Sequence, residues 1–336
     1  MRLYNFKNVK DAYQESRKYT KPAQIAEFPP YITFELKNNC NFTCVMCART
    51  YMKSDKREMD LDYFKKCILE IAKYGSLIRL IGWEEPLLYS KIEEAIEFTK
   101  QNDLLIHITT NGSLLNDKMI AMITNHGVDS VIVSFQGLSK EEYMVMRNVK
   151  ESMYETVMSN LQKLYLSKKN DKPFVKLTTT ITERDDLSKK QEFIDTHTAY
   201  TDELQITGFT DLTAIDEHFG QTDIWNKLSL KKPTKKESVC CSIPNYEMKI
   251  RWDGTIFGCC AAFESDIKMN GKRDQSLLEI WESQQAAAIR KTVSSGQLDE
   301  FKDCKVCSIK HEYADIGDPI TNTFTDQFES YSRILE

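Results

Sequence analysis

From residue 31 to about 207 the chain repeats one unit, a short apolar run followed by an amphipathic stretch. YITFEL (31–36), SLIRLIG (76–82), LLIHITT (104–110), SVIVSF (130–135), FVKLTTTIT (174–182) and ELQIT (203–207) have the length and β-branched content of strands. Between them lie helical patterns. LDYFKKCILEIAKYG ends on Gly75, SKIEEAIEFTKQ is expected to be capped by Ser90, and others fall near 115–125, 151–168 and 186–198. This alternation predicts parallel βα units, an α/β fold with helices covering a sheet that is a partial barrel or open. Ligands in such folds gather at the carboxyl ends of the strands.

One cysteine cluster stands at that end. CNFTCVMC follows the first strand and sets Cys40, Cys44 and Cys47 on one short loop. Of 10 cysteines only Cys67 stands apart, mid-helix in an apolar pattern, and it reads as core. A cytosolic chain does not keep a disulfide framework, so clustering points to metal or redox chemistry. Three thiolates can ligate three irons of a [4Fe–4S] cube and leave the fourth iron to a non-protein ligand. Structural zinc with a distant fourth ligand, or three packed thiols, are the alternatives.

A second group follows a change of pattern. After about 208 come LKKPTKKES and the doublets Cys240-Cys241 and Cys259-Cys260, then a helical pattern at 276–292 and C-x2-C at Cys304 and Cys307. YEMKI-RWDG-TIFGCC (246–260) reads as two strands joined by a turn at Asp253-Gly254. The expected division is an N-terminal extension (1–30), a barrel domain (31–220) and a cysteine-rich domain with tail (221–336).

The first motif resembles the cluster-binding signature of radical S-adenosylmethionine (SAM) enzymes. That resemblance implies a partial (β/α)6 TIM-like barrel and a [4Fe–4S] cluster whose open iron chelates SAM. It also implies reductive cleavage to a 5′-deoxyadenosyl radical. IGWEEPLL (81–88) resembles the family's glycine–glutamate–proline segment, with Gly82, Glu85 and Pro86 at the SAM amino group; Glu84 stands where glycine is common. Met46 matches an adenine-side position. Asn111 in ITTNG and Ser134 and Gln136 in VIVSFQG resemble the third and fourth strand ends, with Gln136 in place of a common aspartate. The region 238–310 is similar to the SPASM or twitch extension that holds auxiliary clusters. Cys241, Cys259, Cys304 and Cys307 are then ligands for one auxiliary [4Fe–4S] cluster, since no cysteine follows Cys307. Either doublet partner, Cys240 or Cys260, could replace its neighbour. Four cysteines of this kind also suit zinc.

The resemblance implies an oxidoreductase fed by an external one-electron donor such as flavodoxin or ferredoxin. Thirty residues before the first strand are fewer than a peptide-recognition domain needs, which favours a small polar substrate such as a sugar, amino sugar or cyclitol. A peptide-modifying maturase remains an alternative, as does a radical epimerase with Cys240 or Cys260 as hydrogen donor. An iron–sulfur carrier or a zinc-stabilised binding protein is the non-enzymatic alternative. Glu183, Asp185, Asp211, Asp216, Glu217, His107 and His218 are weaker candidates for substrate contact. A net charge of -5 argues against nucleic acid. The absence of a long apolar run argues against a membrane span, so the expected location is the cytoplasm.

Overall fold

Six parallel strands form where the apolar runs stand: β1 (Tyr31–Glu35), β2 (Leu77–Leu80), β3 (Ile106–Thr110), β4 (Ser130–Ser134), β5 (Phe174–Ile181) and β6 (Glu203–Gly208). They lie side by side in chain order. The structure is a computed structural model describing residues 2–21, 23–181, 186–208, 241–262, 267–269, 271, 273–305 and 329–332. The expected boundary at 220 lies outside the described residues. So do Cys240, Cys307, His218 and the acidic candidates from Glu183 to Glu217.

The sheet is larger than the six expected strands. The cysteine-rich region contributes β7 (Glu247–Arg251), which pairs parallel with β1 and sets Lys249 opposite Thr33. β8 (Ile256–Phe257) folds back on β7 through a turn with Gly254 at φ +84°. β9 (Glu329–Ser332) runs antiparallel along β6, giving nine strands in one sheet among the described residues.

Local chemistry explains the helices. α1 (Val9–Ser16), in the expected extension, begins in a capping box between Asn8 and Asp11. Its Tyr13 packs 5.2 Å from Tyr31 at the amino end of β1. α2 (Leu61–Tyr74) starts at the Asp60 cap and stops at Gly75. Gly75 is left-handed at φ +83°, and a Cβ there would lie 2.2 Å from the Tyr4 carbonyl oxygen, so only glycine fits. α3 (Ile92–Gln101) corrects the expected cap. Lys91 holds that position, and Ser90 spends its hydroxyl on Glu58. α4 (Asp117–Asn125) is capped by Asn116. α5 (Lys140–Arg147) was not anticipated from the pattern and rests on a Ser139–Glu142 capping box. α6 (Glu151–Leu166) and α7 (Lys190–His197) match expectation. The pattern at 276–292 is two helices, α8 (Leu277–Trp281) and α9 (Gln284–Ser294), because Ser283 caps a fresh start. No helix of the described residues is long and apolar enough to cross a membrane.

The two faces of the sheet differ in chemistry. Successive side chains point to opposite faces. One face is aliphatic: Ile32, Phe34, Ile78, Leu80, Ile106, Ile108, Val131, Val133, Val175, Leu177, Leu204, Ile206, Met248 and Ile250 join the main core, which includes the helix residues Phe64, Ile68, Ile96, Ile123 and Leu161. The intervening positions carry Tyr31, Leu77, Ile132 and Phe174 and, in greater number, polar and charged residues: Glu35, Arg79, His107, Ser134, Lys176, Thr178, Glu203, Gln205, Glu247 and Lys249. A barrel that is only a scaffold fills this face with bulky branched side chains. This one is polar and charged, which suits a ligand cavity.

Candidate cofactor site

The cysteine loop is fastened from two sides. Asn111, just past β3, donates to Asn41 Oδ1 at 2.9 Å and to Cys40 Sγ at 3.8 Å. Asn41 donates in turn to Ser113 Oγ at 2.8 Å. From the end of α5, Met146 accepts the Val45 N–H at 3.1 Å, and Asn148 donates to Thr43 Oγ1 at 3.1 Å. The Cys47 N–H donates to the Cys44 carbonyl at 3.1 Å, and the Thr50 hydroxyl donates to the same carbonyl at 2.8 Å. The loop is thereby held over the carboxyl ends of β3 and β4, where the fold places ligands.

The thiols are set for a cation. Burial pushes Cys40 up to about 11 and Cys47 up to about 12, against the Phe42 N–H that favours the thiolate of Cys40. Neutral thiols have little to draw them together, and no three Cys, His, Asp or Glu side chains among the described residues are already grouped as metal ligands. Bound iron would deprotonate them and gather them.

The test of fit is Arg147. Its guanidinium is buried, donates to Cys44 Sγ at 3.3 Å, and also donates to the carbonyls of Ser134 and Phe135. Among the described residues it has no carboxylate partner, and its Nε–H meets no acceptor. A buried cation beside a cysteine sulfur calls for thiolates or a bound anion as counter-charge. The donor set and its electrostatics therefore fit a thiolate-ligated iron cluster. Sequence reasoning missed Arg147; the Ser139–Glu142 box, which predicts a helix with Arg147 in its last turn, was the available signal.

Glu85 forms the neighbouring wall. Its carboxylate accepts from the Thr110 hydroxyl at 2.6 Å, the Asn111 N–H at 2.8 Å and the Leu87 N–H at 3.3 Å. Burial pushes it up to about 6 against these bonds. Pro86 follows it in a 3-10 turn and is buried. Glu84, where glycine is common, turns back to β1 and accepts the N–H groups of Leu36, at 2.7 Å, and Lys37. Burial and the neighbouring Glu35 push its carboxyl well up. Gly82 is required by close approach, since a Cβ would lie 2.6 Å from Glu35 Cγ. Met46 and Ser134 are half-buried. Gln136 is buried, and among the described residues its Oε1 has no partner.

The second cysteine group lies toward the opposite, amino-terminal end of the strands. Cys241 and Cys259 pack with Tyr31, Ile243 and Tyr246, and Cys259 and Cys304 also border the main core. Cys260 hydrogen-bonds to Cys259 and stands near Glu247 and Arg79; that bond and burial push its thiol well above the ordinary range. Cys67 is buried in α2, as expected of a core residue.

Comparison with known proteins agrees with this arrangement. Residues 34–189 match the radical SAM superfamily, and residues 240–308 match the SPASM iron–sulfur cluster-binding domain. The chain is a radical SAM protein with a SPASM domain. It is 23% identical over 315 residues to the tungsten-containing aldehyde ferredoxin oxidoreductase cofactor-modifying protein of Pyrococcus furiosus, covering 83% of this chain and 87% of that protein. It is 24% identical over 323 residues to the AdoMet-dependent heme synthase of Methanosarcina barkeri, covering 84% and 89%. Two solved structures share the fold. BtrN in complex with AdoMet and 2-DOIA has a TM-score of 0.53 and 16% identity over 83% of this chain and 92% of that one. SuiB of Streptococcus suis bound to S-adenosylmethionine has a TM-score of 0.57 and 15% identity over 89% and 76%. A radical SAM protein of this kind binds SAM, a [4Fe–4S] cluster and auxiliary iron–sulfur clusters.

Proposed function

We propose that this radical SAM enzyme oxidises a small, oxygen-rich polar metabolite held on the polar face of the barrel. The observation that carries the reading is that face itself. Half-buried Ser134 and Thr178 stand at its upper end, above half-buried Thr109 and buried Lys176, with buried Arg79 and His107 one step lower. Hydroxyls and charged groups on a buried surface need polar partners, and a polyol or similar substrate supplies them.

Cys40, Cys44 and Cys47 hold the SAM-binding cluster, with Arg147 supplying a fixed positive charge beside Cys44. Glu85 faces the SAM amino group, where a carboxylate stabilises the ammonium. Gly82, Pro86, Asn111 and Met46 shape the pocket, and Ser134 and Gln136 face the ribose or carboxylate. When bound, the cofactors supply a 5′-deoxyadenosyl radical that takes one substrate hydrogen atom, and an auxiliary cluster that accepts the electron left behind. Cys241, Cys259, Cys304 and Cys307 hold that one auxiliary cluster. Cys259 borders one hydrophobic cluster together with Cys241 and another together with Cys304, which supports Cys259, rather than Cys260, as the ligand. An external flavodoxin or ferredoxin delivers the reducing electron. Relatives named for cofactor modification and heme synthesis are in keeping with a small-molecule substrate.

The position of Cys260 supports a second reading, radical epimerisation, because its thiol faces the ionic pair of Arg79 and Glu247 inside the barrel. Iron and sulfide analysis after anaerobic reconstitution tests the cofactor assignment. About eight irons per chain should fall to about four in a Cys40/Cys44/Cys47→Ala variant, and 5′-deoxyadenosine should form in the wild type alone. Zinc in place of iron, or an unchanged iron count, would refute it. Substrate deuterium washed in from D2O without net oxidation, and lost in Cys260→Ala, would favour epimerisation.

A further inference from the structure

One buried lysine joins the two cysteine-bearing regions across the polar face. Lys249, on β7, is 0% exposed and stands level with Thr33, midway along β1. Its ammonium pairs with Glu35 Oε2 at 2.8 Å and donates to the carbonyls of Cys260 and Ala262, each at 3.1 Å. A lysine ammonium carries three donors and no acceptor. Each donor has its oxygen here, so Lys249 has nothing left for a substrate or a proton transfer. Burying a cation without partners is costly, and these oxygens offset that cost.

The oxygens belong to the two cofactor-binding parts of the chain. Cys260 follows Cys259, which borders the hydrophobic cluster of Tyr31 at the amino end of β1. Glu35 ends β1, shortly before the loop of Cys40, Cys44 and Cys47. Its Oε2 also accepts the Trp83 N–H at 3.1 Å, and its side chain leaves room for nothing larger than glycine at position 82. Glu84, next in that turn, accepts the N–H groups of Leu36 and Lys37. The five residues of β1 rise about 13 Å between these regions. Lys249 therefore ties the 260–262 backbone to the 82–84 turn through one carboxylate. Apolar side chains could fill the same space without loss of stability, but they have no direction. A lysine between three fixed oxygens has one.

We propose that Lys249 is a positioning residue that fixes the Cys259 loop against the 82–84 turn, so that the two iron–sulfur sites keep one separation. This rests on the reading of Cys259 as a ligand of the auxiliary cluster. Electron transfer to that cluster falls steeply with distance, so a Cys259 loop free to shift would slow it. Lys249 acts on the cluster through the backbone of Cys260 and Ala262, and on the SAM side through Glu35.

Hydrogen–deuterium exchange of the anaerobically reconstituted protein, read by mass spectrometry without turnover, tests the tie. Lys249→Met keeps the length of the side chain, and Glu35 retains Arg251 at 3.2 Å, so no carboxylate is stranded. Peptides covering 259–262 and 81–84 should both exchange about tenfold faster or more, with α6 unchanged. Glu35→Gln, at the other end of the pair, should loosen the same two segments, and the double variant should be no looser than Lys249→Met. If Lys249→Met does not fold, Glu35→Gln carries the test. A merely structural lysine would leave the clusters' magnetic signature unchanged, so EPR of the doubly reduced protein is the second readout. With about eight irons per chain in both proteins, the interaction between the reduced clusters should be sharp in wild type and spread over a range of separations in Lys249→Met. Exchange that rises in one segment only, rises equally in α6 or does not rise would overturn the proposal, as would an unchanged interaction. Iron analysis separates this failure from that of the ligand reading. An iron count that Cys259→Ala leaves unchanged would remove Cys259 as a ligand, and the positioning role with it, whatever the exchange shows.

Discussion

His107 sets the sign of one pH dependence. Burial, and then the charges of Arg79 and Lys176, lower the pKa of its ring from the ordinary 6.5 to about 3. The unfolded chain therefore binds a proton here between those values and the folded chain does not. Stability attributable to this ring is complete above about pH 6.5 and is lost as pH falls toward the folded value. At pH 5 the unfolded imidazole is almost fully protonated, and the loss relative to pH 8 is about 2 kcal/mol. Urea unfolding of the purified chain at the two pH values measures it, with His107→Gln as reference. The variant removes this group while leaving every other histidine and carboxylate to titrate alike. Wild type should lose about 2 kcal/mol more than the variant between pH 8 and pH 5. An equal loss in both, or a His107 ring signal that titrates near 6.5, would refute the claim that burial keeps this ring neutral.

Glu85 should behave in the opposite sense. Its pKa is raised from 4.5 to about 6, so the folded state holds the proton more tightly and stability is gained as pH falls through 6; Glu85→Gln should abolish about 1 kcal/mol of that gain at pH 5, read in the same unfolding experiment. Gly82→Ala forces a methyl to within 2.6 Å of Glu35 Cγ, and Glu35 is held by Lys249 and Arg251. Unfolding free energy should drop by about 1–3 kcal/mol, and a neutral result would show that Glu35 can move. Arg147→Met removes the positive charge beside Cys44. At about 5 Å and an effective dielectric of about 20, the SAM-binding cluster's potential should fall by on the order of 100 mV in EPR-monitored titration, and an unchanged potential would remove Arg147 from the cluster's field.

Local signals account for the features that were legible before folding. A strand or helix is selected by the spacing of apolar residues within one segment, so all six parallel strands could be placed. Three cysteines within eight residues of one another must share a loop whatever the fold. Where a local rule had two solutions, the sequence misled: Ser90 is a good cap in isolation, but Glu58 captures its hydroxyl. The run at 276–292 is periodic throughout, yet Ser283 restarts the helix. The alternation of charged and apolar residues in LIRL, FVKL and EMKI was visible, but it does not reveal which charges meet.

The sequence by itself determined the βα series, the loop that carries Cys40, Cys44 and Cys47, and the two cysteine groups, because each depends on residues close in the chain. Tertiary structure alone decided that β7 joins β1, that Arg147 lies against Cys44, that Asn111 anchors the cysteine loop, and that Arg79 stands beside His107. Strand pairing brings together residues separated by up to 216 positions, as in the bond from Arg251 to Glu35. The strength of such contacts depends on burial, which exists only once the sheet has closed over them.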